Sequence, residues 1–147
     1  MRYESDLLWT RLVPRRLWGA DPDEWVQHGG KWIVFDRKEN LVELARGLEP
    51  YIEGGEVEGA KYWRRDPGAI CVYSLDRDRE RVEEILDALG AARSRVWEYD
   101  YATAKNVSRP LSFLYSWANK MRTILQSYGI RGTLWLIAEV LKPRERP

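Results

Sequence analysis

The triplet Asp66-Pro67-Gly68 lies between two runs of β character, Ala60 to Arg65 and Ala69 to Leu75, and it constrains the chain more than any other feature. Proline presets φ and glycine tolerates the conformations that reverse a chain, so the triplet predicts a turn. A turn joining two such runs predicts an antiparallel hairpin. Three more segments read as strands: Leu7 to Val13, stopped by Pro14; Lys31 to Phe35; and Arg95 to Tyr101, whose alternation extends to Lys105.

Helical periodicity fills the spaces between them. Leu41, Val42, Leu44, Ala45 and Leu48 follow Asn40 with helical spacing, Pro50 predicts a bend, and Gly54-Gly55 an end. Val82, Ile85, Leu86 and Leu89 stand at i, i+3, i+4 and i+7 in a helix from Asp76 to Leu89. Pro110 opens a long helix to Tyr128 with Leu111, Leu114, Tyr115, Ala118, Met121 and Leu125 on one stripe, widened by Phe113, Trp117 and Ile124. That stripe is expected to face the core, and Gly129 to end the helix. Thr133 to Leu141 fits a last helix or a core strand, the helix being favoured, and Arg15 to Gly30 reads as a loop with one turn at Pro22 to Val26 capped by Asp21. The order predicts an α+β fold, a curved and mainly antiparallel sheet with helices packed on one face.

Composition narrows the function. With 147 residues, one domain is expected over 1–142 with a frayed tail at 143–147. Lys and Arg number 24 against 23 Asp and Glu, so no global field draws in a polyanion and an anion site has to be a local patch. Cys71 is the sole cysteine and His28 the sole histidine, which excludes an internal disulfide and cysteine-based zinc and leaves no metal or cofactor expected. No apolar signal core and no membrane-length run is visible, so a cytoplasmic protein without membrane contact is expected.

Eight Trp and eight Tyr stand beside two Phe, and they point to the candidate site. Alternation places Arg95, Trp97, Tyr99, Tyr101 and Lys105 on one side of their strand, and Lys61, Trp63 and Arg65 on one side of theirs. If the two sides coincide, rings there stack bases while Lys61, Arg64, Arg65, Lys105 and Arg109 hold phosphates. The alternative is that Glu98 and Asp100, opposite Trp97 and Tyr99, mark the aromatic side as the inner one.

The succession Gly30-Lys-Trp-Ile-Val-Phe35, Gly59-Ala-Lys-Tyr62, Ala69-Ile-Cys-Val-Tyr-Ser74, the charged helix start at Asp76 to Arg81 and Tyr99-Asp-Tyr-Ala-Thr103 resembles the basophilic-leukaemia-expressed protein family. The resemblance covers residues 6–105. It implies the α+β fold of the mRNA cap-binding translation initiation factor, in which two Trp rings hold a base; Trp18, Trp25 and Trp32 are raw material for such a site. Bacterial and archaeal chains that look like this one are also described as phosphothreonine lyases, which use a Lys-x-His motif. The nearest element is Lys61-Tyr-Trp63, with Trp in the histidine's place, so that reading makes Lys61 and His28 catalytic only if the His28 loop folds over Lys61.

Three functions follow as expectations. The first is a binding module for single-stranded RNA or a nucleotide, with Lys61, Trp63, Arg64, Arg65, Trp97, Tyr99, Tyr101, Lys105 and Arg109 as contacts. The second is a phosphothreonine lyase. The third is an interaction domain whose last helix or exposed Trp surface docks a protein partner or a second copy.

Overall fold

The computed structural model describes residues 1–15, 20–100 and 110–141. Within them the chain forms an open six-stranded antiparallel sheet with helices packed against it, the α+β class that the order of elements predicts. The strands are β1 (Arg2–Ser5), β2 (Trp9–Val13), β3 (Gly29–Asp36), β4 (Gly59–Trp63), β5 (Gly68–Leu75) and β6 (Arg95–Tyr99), in the spatial order β1-β2-β4-β5-β3-β6. The helices are α1 (Pro22–His28), α2 (Lys38–Glu53), α3 (Arg79–Ala88, led by a 3₁₀ turn at Asp76–Asp78) and α4 (Pro110–Leu141).

The central hairpin β4–β5 forms as expected, with Ala60 opposite Val72 and Tyr62 opposite Ile70. The expected strand from Leu7 is instead a hairpin. Asp6 Oδ1 accepts the N–H groups of Leu8 and Trp9 at 2.9 and 2.8 Å, turning the chain so that Arg2–Ser5 pairs with β2. Asp21 caps α1 through the Asp23 N–H at 2.8 Å, and this helix runs two residues beyond the single turn expected. Helix α2 continues through Pro50 to Glu53. Its first N–H, that of Lys38, is satisfied by Asp66 of the β4–β5 turn at 2.9 Å.

Strand alternation gives the sheet two faces. One carries Leu12, Ala60, Val72, Trp32 and Trp97, and packs on Leu41, Leu44, Leu48 and Ile52 of α2 and Val82, Ile85 and Leu86 of α3. Each of these aliphatic side chains contributes about 1.5–3 kcal/mol by leaving water, and this layer is the main core. The opposite face holds a smaller cluster, Ile33, Ala69, Cys71 and Val96, flanked by Trp9, Phe35 and Tyr73. Helices α2 and α3 thus supply the expected packing on one face, while α4 is applied across the other.

Helix α4 is interrupted at Gly129, whose φ of 65° only glycine adopts without strain. Its expected core stripe is not buried: Leu111, Leu114, Tyr115, Ala118 and Leu125 all face solvent. The contacts to the sheet are made instead by Lys120, Ile124 and Tyr128. The smaller face needs only a narrow cover, and Lys120 has a carboxylate waiting there. Among the described residues no helix is long and apolar enough to cross a membrane.

Candidate functional site

The register sets Arg11, Lys61, Cys71, Ile33 and Val96 side by side across five strands on the smaller face. Lys31, Tyr73 and Glu98 form the neighbouring row, and Trp9 pairs with Trp63 on the other side. Where α4 crosses, a pocket of about 260 Å³ remains. Its floor is Ile33, Ala69 and Cys71, and its walls include Trp9, Trp63 and Phe35. Lys31, Lys61 and Lys120 reach into this largely apolar space from three different elements.

Two of the three ammonium groups are already neutralised. Lys31 is paired with Asp100, and Lys120 Nζ is 2.6 Å from Glu98 Oε2. The acids that alternation sets opposite Trp97 are therefore the counter-charges of the pocket. Lys61 is in no ion pair among the described residues. Its Nζ lies 4.8 Å from the Trp9 ring centroid and 5.5 Å from that of Tyr73, a cation held between two aromatic faces. Burial pushes the Cys71 thiol up, and Lys31, Lys61 and Lys120 pull it back in part, as expected of three cations converging on one spot. Trp63 meets Tyr128 edge-on at 6.2 Å, and its buried Nε1 has no acceptor among the described residues.

The predicted site residues are divided by the sheet. Lys61 and Trp63 line the pocket; Arg65 does not, its guanidinium lying 5.3 Å from the ring of Tyr128, which itself meets Trp63. Arg64, just past the end of β4, donates from Nη1 to the Asp6 carbonyl at 2.8 Å. Trp97 and Tyr99 project from the opposite face, so the two aromatic sides do not coincide. The pairing of Ile33 with Val96 puts Val96 on the smaller face and sends Trp97 into the main core, 9% exposed and edge-on to Trp32 at 5.8 Å. Tyr99 donates its hydroxyl to Asp76 at 3.0 Å. Tyr101, Lys105 and Arg109 lie outside the described residues, as does Trp18.

His28 is not brought to Lys61. It lies beyond the start of β3, with Nδ1 3.2 Å from Asp76 Oδ2. Cys71, opposite Lys61, and Leu75, opposite Gly29, are four residues apart on β5, which is about 13 Å along the strand before His28 is reached. An acid–base pair of Lys61 and His28 is not formed.

Sequence reasoning missed Trp9, Lys31, Tyr73 and Lys120. Alternation of Lys31, Ile33 and Phe35 was the available sign for one of them, a cation at the end of an apolar face. Lys120 enters only because α4 crosses the sheet. A larger cleft of about 550 Å³ opens beside β6 between Trp32, Arg79, Arg95 and Tyr115. There Arg95 holds Asp87 at 2.6 Å and Glu83 at 3.4 Å through Nη2, while its buried Nη1 has no hydrogen-bond partner among the described residues. No family model matches the chain, and no curated protein matches it.

Proposed function

We propose that the pocket under α4 binds a phosphate-bearing ligand with a flat apolar part, a nucleotide either free or as the end of a single-stranded RNA. The observation that carries this reading is Lys61, a cation without a carboxylate partner among the described residues, held by Trp9 and Tyr73 over an apolar floor. A phosphate would take Lys61 through a charge-assisted hydrogen bond of about 1.5–3 kcal/mol. The base would lie against Trp9 or Trp63, where stacking contributes about 1–3 kcal/mol. The resemblance to the basophilic-leukaemia-expressed proteins and the cap-binding fold is carried as part of this proposal, with the ligand on one sheet face.

The test is a titration of intrinsic tryptophan fluorescence with nucleoside monophosphates and a short single-stranded RNA, at low and moderate salt. Saturable quenching is expected, weakening with salt and at least tenfold weaker in Lys61→Ala, in line with the loss of one charge-assisted bond. No response to any of these ligands overturns the proposal.

A further inference from the structure

The apolar stripe of α4 around Ala118 is one that the fold leaves largely bare. Of the ten large hydrophobic side chains exposed among the described residues, seven belong to α4: Leu111, Leu114, Tyr115, Trp117, Leu125, Ile130 and Leu134, with Leu111 82% exposed. One side of the helix meets the sheet through Lys120, Ile124 and Tyr128. On the other, Leu111 and Tyr115 border the cleft beside β6, and the stripe is otherwise open among the described residues. The four on the stripe around Ala118, Leu111, Leu114, Tyr115 and Leu125, expose roughly 400 Å², about half of what one partner contributes to an interface of standard size and the scale of a weak dimer.

The pattern also says what fits there. Around the exposed Ala118, the stripe repeats symmetrically: Tyr115 and Met121 stand at three residues to either side, Leu114 and Arg122 at four, Leu111 and Leu125 at seven. A helix laid antiparallel across Ala118 and carrying the same sequence sets leucine against leucine at both ends, about 21 Å apart. Alanine at the crossing point lets the two helices approach closely, and the Arg122 stem covers Leu114 while its guanidinium stays at the rim. Charge agrees. Residues 1–100 carry 16 Lys and Arg against 21 Asp and Glu, whereas residues 101–147 carry eight against two. Each basic C-terminal half can therefore lie beside the acidic body of another copy.

We propose that α4 forms the interface of a two-fold homodimer, crossing its own copy antiparallel at Ala118, with Leu111 of each protomer against the partner's Leu125. The contact is independent of the pocket under α4 and of any ligand there.

Sedimentation of the full chain over a range of concentrations should give a mass that doubles at low and at high salt, at a lower concentration in low salt because the charge complementarity is screened. Leu114→Glu and Leu125→Glu, both at exposed positions, should each raise the dissociation constant about a hundredfold with an unchanged far-ultraviolet spectrum. If one of them fails to fold, the other carries the test. Ala118→Cys on the crossing axis should oxidise to a covalent dimer, while the wild-type chain, whose one cysteine is buried, should not. A wild-type chain that stays monomeric overturns the proposal, including one that instead takes up anionic vesicles or an acidic protein. A dimer that survives both glutamates and leaves Ala118→Cys unlinked overturns it equally, because the contact then lies elsewhere.

Discussion

The Trp97 indole lies directly on the Gly30 α-carbon: a Cβ at Gly30 would stand 2.5 Å from Trp97 Cζ2 and 2.7 Å from the Glu98 carbonyl oxygen. Gly29, next to it, is covered in the same way by Trp25, whose ring would lie 2.5 Å from a Cβ there. Successive residues of a strand face opposite ways, so the glycine pair seats one tryptophan on each face of β3. Gly30→Ala is expected to lower the stability by about 1–3 kcal/mol, the usual cost of overpacking a filled site. Urea unfolding of the variant and the wild type measures it, and an unchanged midpoint would mean that the indole has room to move.

That pair shows what the sequence conceals. Gly29-Gly30 is visible at once, and its spacing fits no phosphate loop, but its purpose depends on two tryptophans, one of them 67 residues away along the chain. Local signals read well: the Asp66-Pro67-Gly68 turn, the α3 periodicity and the Gly129 break all depend on neighbouring residues alone. Long-range choices do not. Nothing in the segment Arg2–Ser5, every residue of it exposed, announces a strand, and the start of α2 depends on Asp66 across the molecule. The same holds for the site. Lys61 and Trp63 were legible as an alternating cation and ring, whereas the separation of Trp63 from Trp97 was decided by the pairing of β3 with β6.

The division of the tryptophans between two faces predicts opposite behaviour for two conservative variants. Trp63→Phe removes a pocket wall and should reduce both the nucleotide-induced quenching and the affinity, with little loss of stability. Trp97→Phe should leave the affinity unchanged and cost about 1–3 kcal/mol of stability, because the ring packs against Trp32 in the main core. Parallel titrations and urea melts separate the two. An affinity lost in Trp97→Phe and kept in Trp63→Phe would place the ligand on the other face.

Cys71 makes the pocket floor testable without a ligand. Its thiol is buried, and burial pushes its ionisation up despite three nearby ammonium groups, so little of the reactive thiolate is present at neutral pH. An aromatic disulfide reagent should leave the native protein untouched over hours and titrate one thiol per chain after unfolding. Rapid reaction in the native state would show α4 lifting from the sheet often enough to admit the reagent.

At the other edge of the sheet, Tyr3 ties β1 to α2 by donating its hydroxyl to Glu49. Burial, followed by that hydrogen bond, pushes the Tyr3 phenol from 10.0 up to about 12. The folded chain therefore holds this proton more tightly than the unfolded one, and stability falls with rising pH only where the two forms differ in protonation. Tyr3 contributes fully below pH 10, and its contribution is lost progressively between about pH 10 and pH 12. Because the side chain is 43% exposed, solvent screens much of the interaction and the effect is modest. Tyr3→Phe compared with the wild type in urea melts isolates it from the other tyrosines. The stability gap between the two proteins should stay constant below pH 10 and narrow above it. A gap that does not change across that window would mean that the Tyr3–Glu49 bond does not hold the phenol protonated, and that β1 is kept in place by its pairing with β2 and by the Met1 amino group on Glu53.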